Sequence, residues 1–135
     1  QFYEDVVKCC HYYSCQLLFE DNKIGIKNYF EDRGYASFLM YLPGSAKPGM
    51  SGSVRTHQQI AEVTEEYIES NIEKVCYPEL LKDWLEFDIS KTTKFDAAMA
   101  AGYTLIADKN ILLRNFHTKG NLVEAKTMFK KFKVG

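Results

Sequence analysis

The sequence predicts an α/β domain built on parallel strands, and three observations carry that reading. Two short apolar runs, residues 16–19 and 38–42, stop abruptly in turn signals. The stretches before and between them repeat apolar residues at helical spacing. The resulting helix–strand–helix–strand order calls for a right-handed crossover between parallel strands.

In chain order, Phe2, Val6, Cys10 and Tyr13 recur as one face of an amphipathic helix over 2–14. Residues 16–19 then read as a short buried strand, closed by Glu20 and Asp21. Residues 23–33 return to helical character through Ile24, Ile26, Tyr29 and Phe30, and Gly34 is placed to stop them. A second strand is expected over 35–42, where "FLMYL" is apolar throughout. The loop "PGSAKPGMSGS", residues 43–53, carries two prolines and three glycines; counted to Arg55, it is long enough to border a site. Residues 56–73 form a long acidic helix with Ile60, Val63, Tyr67, Ile68 and Ile72 near one face. Pro78 opens another helix over 79–87, at a position helices tolerate. Residues 90–94 are a polar break, and 95–107 are apolar nearly all round, as in a helix buried inside a domain. Residues 121–132 close the chain as a basic amphipathic helix. Two strands are few for an α/β domain, so further strands are expected to be missing, supplied by another chain or hidden among the helical stretches.

The 135 residues suit one domain, 1–135, and one hydrophobic core. At 46% hydrophobic and 14% aromatic the composition excludes wholesale disorder. No apolar stretch reaches the roughly 20 residues of a membrane span. The opening Gln1-Phe2-Tyr3-Glu4-Asp5 is acidic where a secretory signal is basic, so a soluble intracellular protein is expected. Cys9, Cys10, Cys15 and Cys76 form no CxxC pair, and reduced, mostly buried thiols are the expectation. A zinc cluster from Cys9, Cys10, His11 and Cys15 matches no standard spacing. The formal net charge of −1 hides an asymmetry. Residues 1–108 carry 10 Lys/Arg against 17 Asp/Glu, whereas the tail 109–135 carries 7 Lys/Arg against Glu124 alone. A basic tail on an acidic body points to a polyanion partner, with a solvated helix face as the plainer reading.

Two carboxylates stand in costly places. Glu20 ends a buried strand, the position at which open α/β sheets place their ligands. Asp96 begins the nearly all-apolar helix. Each has a structural explanation: Asp21-Asn22 is a turn signal, and Thr93 to Asp96 has the spacing of a capping box. If the late helix packs on the first strand, Glu20 and Asp96 converge into a hard-oxygen site suited to Mg²⁺ or Mn²⁺, with Asp21 as a helper. A pair of such ions activates water and stabilises a leaving oxygen in phosphodiester hydrolysis.

The ordered series "CCHYYSCQLLFE", "EDNKIGIKNYF", "RGYASFLMYLP", "VRTHQQIAEVTEEYI", "LLKDWLEFD" and "KTTKFDAAMAAGYTLIA" resembles the nuclease domain of the large terminase subunit of tailed bacteriophages. The resemblance spans roughly residues 3–107 and implies a ribonuclease-H-like sheet flanked by helices. It implies a metal-dependent DNA endonuclease that cuts concatemeric genomes during packaging in the host cytoplasm. Glu20 in "FEDNKIG" matches the family's second metal-binding acid, and Asp96 in "KFDAAMA" matches the last. Asp83 stands where the family usually has Glu, and Arg55 in "SVRTHQQI" matches a loop arginine suited to a phosphate contact. Lys91, Lys94, Lys126, Lys130, Lys131 and Lys133 would add grip on the DNA backbone without base readout. The implied partners are double-stranded DNA, an ATPase domain, the small terminase subunit and the portal.

The departures are equally specific. The family's first aspartate lies on a strand upstream of the helix with which this chain opens, so the domain is expected to be incomplete at its N-terminus. No G-x-x-x-x-G-K-[ST] motif occurs. The alternative is a non-catalytic DNA- or partner-binding module in which the acids are structural. An open sheet edge would also favour a homodimer.

Overall fold

The computed structural model describes residues 1–118, and among them the architecture is helical. Five α-helices follow one another: α1 (Phe2–Tyr13), α2 (Ile24–Asp32), α3 (Val54–Asn71), α4 (Pro78–Glu86) and α5 (Asp96–Thr118). Short 3-10 segments, Ala36–Phe38, Ile72–Lys74 and Ile89–Lys94, lie between them. No helix of the described residues is long and apolar enough to cross a membrane.

The expected α/β fold with a ribonuclease-H-like sheet is thereby corrected, and with it the terminase resemblance. No strand forms among the described residues; there are two isolated parallel bridges, Leu17 with Leu39 and Glu20 with Met50. A nuclease domain of that family is built around a continuous sheet. The physical reason lies in the two apolar runs. The run over 35–42 starts as a 3-10 turn, so extended backbone begins only at Leu39 (φ −76°, ψ 125°). The run over 16–19 is confined between the end of α1 and the turn at Asp21-Asn22, too short for a ladder. The parallel sense expected of the crossover is present in both bridges; the sheet is not.

Helix ends follow local chemistry. α1 stops at Ser14, which turns left-handed at φ 51°, ψ 44°. There Ser14 N–H donates to His11 O at 3.3 Å and Cys15 N–H donates to Cys10 O at 3.1 Å, the paired bonds of a Schellman motif. Gly34, at φ 78°, follows α2 as its sequence position suggests. Ser53 caps α3 by accepting from Thr56 N–H at 3.2 Å, and the buried Thr56 hydroxyl donates to Ser51 O at 2.5 Å.

Two cores form, and residues 17–19 run between them. Leu17 and Phe19 join Val7, Cys10, Ile26, Phe30 and Leu39 on the side of α1 and α2. Leu18 joins Ile60, Val63, Ile106, Met50 and Tyr103 on the side of α3 and α5. This alternation is the period of an extended chain with both faces covered. Full burial of Phe30, Met40, Ile60 and Ile106 contributes about 1.5–3 kcal/mol each. The loop over 43–53 folds back rather than standing off: Gly49 N–H donates to Met40 O at 3.0 Å, and Met50 N–H donates to Phe19 O at 2.8 Å. Gly49 needs its glycine, since φ is 89° and a Cβ would lie 2.9 Å from Phe19 O. The closing helix expected over 121–132 lies outside the described residues.

Candidate functional site

The extended run delivers Glu20 and Asp21 to the start of α3. Asn22 Nδ2 donates to Glu20 Oε1 at 3.0 Å, so the turn residue also orients the acid. Glu20 is half-buried and lies against the backbone at Gly52, where any Cβ would collide with its carboxylate. Asp21 is held from the loop, with Lys47 Nζ 3.1 Å from its Oδ2. Tyr103 of α5 belongs to the same neighbourhood. Its hydroxyl is buried and has no hydrogen-bond partner among the described residues. Burial first, then the charges of Glu20 and Asp21, push its pKa up to about 12. Tyr103 therefore stays a neutral donor near the two carboxylates across the physiological range.

Asp96 is exposed at the first residue of α5. It precedes Tyr103 by two helical turns, about 10 Å along the axis. The amide donors at the start of α5 go not to Thr93 but to α4: Asp83 Oδ2 accepts from Ala97 N–H at 2.9 Å and Ala98 N–H at 3.1 Å. A carboxylate there satisfies two orphan donors and meets the positive end of the helix dipole.

Mg²⁺ and Mn²⁺ require converging oxygen ligands in a tight octahedron. Here Glu20 takes Asn22, Asp21 takes Lys47, and Asp96 stands at the solvent-facing start of α5. Among the described residues no group of three or more His, Cys, Asp or Glu is placed to hold a metal ion.

The cations are distributed differently. Gly102 meets Ile60, and Lys109 pairs with Glu66. Both contacts advance together along the two helices, so α3 and α5 run parallel and begin at the same end. Arg55, in the first turn of α3, is at that end. So are Lys91 and Lys94, on the 3-10 segment that packs against α3 and leads into α5. Lys91 is paired with Asp88 at 3.2 Å, whereas the exposed Arg55 and Lys94 make no ion pair among the described residues. Lys126, Lys130, Lys131 and Lys133 lie outside the described residues.

A backbone feature completes the site. Leu17 N–H donates to Phe38 O at 2.7 Å, Met40 N–H donates to Leu17 O at 2.9 Å, and Asp21 N–H donates to Met50 O at 2.9 Å. All of these use the odd-numbered residues, hence one edge of the extended run. On the opposite edge, Leu18 N–H and C=O make no hydrogen bond among the described residues. Sequence reasoning missed Tyr103 and the capping role of Asp83. A signal existed for Tyr103, which falls seven residues after Asp96 and so on the same helical face. Nothing local marks Asp83.

No protein-family model matches the chain, and neither a curated protein nor a solved structure does.

Proposed function

We propose that the chain is a non-catalytic binding module whose docking element is the open backbone edge at Leu18, and that it takes a second copy of itself there. The observation that carries the reading is the backbone of Leu18, which makes no hydrogen bond among the described residues and lies between two covered faces. Backbone donors and acceptors in such a place are costly unless matched, and an added strand matches them. Antiparallel pairing about a two-fold axis centred on Leu18 sets Glu20 opposite Gln16, amide against acid, and avoids acid facing acid.

Sedimentation velocity over a concentration series tests this. A reversible dimer is expected, weakened at least tenfold by Gln16→Pro, which removes an edge N–H from an exposed residue. A chain that stays monomeric at every concentration would sink the reading. A second reading, contact with a DNA backbone, is favoured by the 7 Lys/Arg of residues 109–135 against Glu124. It calls for a steeply salt-dependent gel shift of plasmid DNA; adding Mn²⁺ to the same mixtures asks whether the DNA is also cut.

A further inference from the structure

Four thiols stand in this chain, and two of them meet. The Schellman motif that ends α1 brings a residue of the last helical turn against the residue after the left-handed turn, and a side-chain contact between these two frequently accompanies it. Here they are Cys10 and Cys15, joined by the Cys15 N–H to Cys10 O bond of 3.1 Å. A bond of this kind holds the two Cα atoms roughly 5–6 Å apart, within the span a disulfide bridges. The thiols differ in access: Cys10 is buried and Cys15 is exposed. Burial, then the neighbouring Cys15 and its hydrogen bond, push the Cys10 thiol up to about 11. Both cysteines line a cavity of about 320 Å³ together with His11, Gln16 and Ser37, wide enough for a small thiol reagent to reach the pair.

We infer that Cys10 and Cys15 are a redox-active dithiol that closes to an intramolecular disulfide with a glutathione-type disulfide as oxidant. The exposed Cys15 thiolate attacks one sulfur of the oxidant, breaking its S–S bond, forming a mixed disulfide and releasing one thiolate, which takes a proton. Cys10 then gives up its proton and attacks the Cys15 sulfur, releasing the second small thiol. Two electrons pass from the protein to the oxidant, two protein thiols become one disulfide, and one disulfide becomes two thiols. The order follows from access and acidity: a buried thiol held up to about 11 is a slow first nucleophile and suits the resolving role. The disulfide would tie the last turn of α1 to the extended run, bracing the strained turn at Ser14.

The test equilibrates the full chain with graded ratios of oxidised to reduced glutathione, followed by acid quench, alkylation and intact mass. Cys9→Ser, Cys10→Ser and Cys15→Ser variants run alongside, because Cys9 shares the same tryptic peptide. The expected result is a disulfide in the parent and in Cys9→Ser, its loss in Cys15→Ser, and arrest at the mixed disulfide in Cys10→Ser. Alkylation of Cys15 should outpace that of Cys10 by at least tenfold. A disulfide that persists in Cys10→Ser means that Cys9 or Cys76 is the partner and overturns the proposal. So does a parent that stays fully reduced through the most oxidising ratio. Cys15→Ser, altering an exposed side chain, keeps the test decisive even if Cys10→Ser is poorly folded.

Discussion

At Ser14 the backbone enters the left-handed region, where a side chain costs about 1–2 kcal/mol that glycine does not incur. Glycine gives back part of that difference through the freer unfolded chain. Ser14→Gly should therefore stabilise the protein by about 0.5–1 kcal/mol, read as a rise in the urea midpoint at unchanged slope. A fall in the midpoint would mean that the Ser14 side chain holds the turn by contacts this account omits. Asp88 supplies a second residue-scale test. Its carboxylate accepts from the Ser90 hydroxyl at 2.6 Å and the Ser90 N–H at 2.9 Å, with Lys91 beside it. The Ser90 hydroxyl first, then the Ser90 N–H and Lys91, lower its pKa to about 2. A folded value below the ordinary 3.8 stabilises above that ordinary value and is lost as pH falls through about 2. Ser90→Ala should move the Asp88 titration upward in an NMR pH series; an unmoved titration would assign the shift to the Ser90 N–H and Lys91, which the substitution leaves in place. At this scale the sequence was legible wherever a role is local. Asn22 was readable as a turn former from its own neighbourhood, and Gly34 as a helix stop. The cap of α5 was not, because its acceptor comes from another helix.

Among the elements, α5 shows most clearly what local pattern conveys and what it leaves out. Its apolar run over 95–107 predicted a helix buried nearly all round; instead Ala98, Gly102 and Ile106 form one buried stripe while Ala100 and Thr104 are exposed. Gly102 lies so close to Ile60 that a Cβ there would collide with it, the kind of tight approach that a small residue permits. The start of α5 depends on α4, through Asp83 and the amides of Ala97 and Ala98. Asp83→Ala should cost about 1–2 kcal/mol, the usual loss on removing a helix cap, and raise amide exchange over the first turn of α5. Unchanged exchange there would show that the first turn holds without Asp83. The helices were legible because their apolar spacing is short-range, so α1 to α4 lie within two residues of the spans their sequences predict. The strands were not. Whether four apolar residues pair into a ladder depends on a partner segment whose own backbone, at 36–38, had turned helical.

For the whole molecule, the consequence is two helical cores joined through one extended run. Leu17 and Phe19 serve one core and Leu18 the other, so the run is fixed in place by apolar contacts on both faces. Its odd-numbered edge is hydrogen-bonded, and Glu20 O accepts from Lys23 N–H, but Leu18 is open among the described residues. The sheet expected to carry Glu20 and Asp96 does not form among the described residues, and no group of three or more His, Cys, Asp or Glu is gathered there. The strand expected over 16–19 is reduced to isolated bridges, Leu17 with Leu39 and Glu20 with Met50, and the missing partner strand is why no sheet forms around it. Amide hydrogen exchange at Leu17 and Leu18, followed against protein concentration, tests this account most directly. The Leu17 amide should be protected at every concentration, because its acceptor is Phe38 in the same chain. The Leu18 amide should exchange freely when dilute and gain protection as copies pair. Protection of Leu18 that is already complete at high dilution, or absent at every concentration, would contradict the open docking edge.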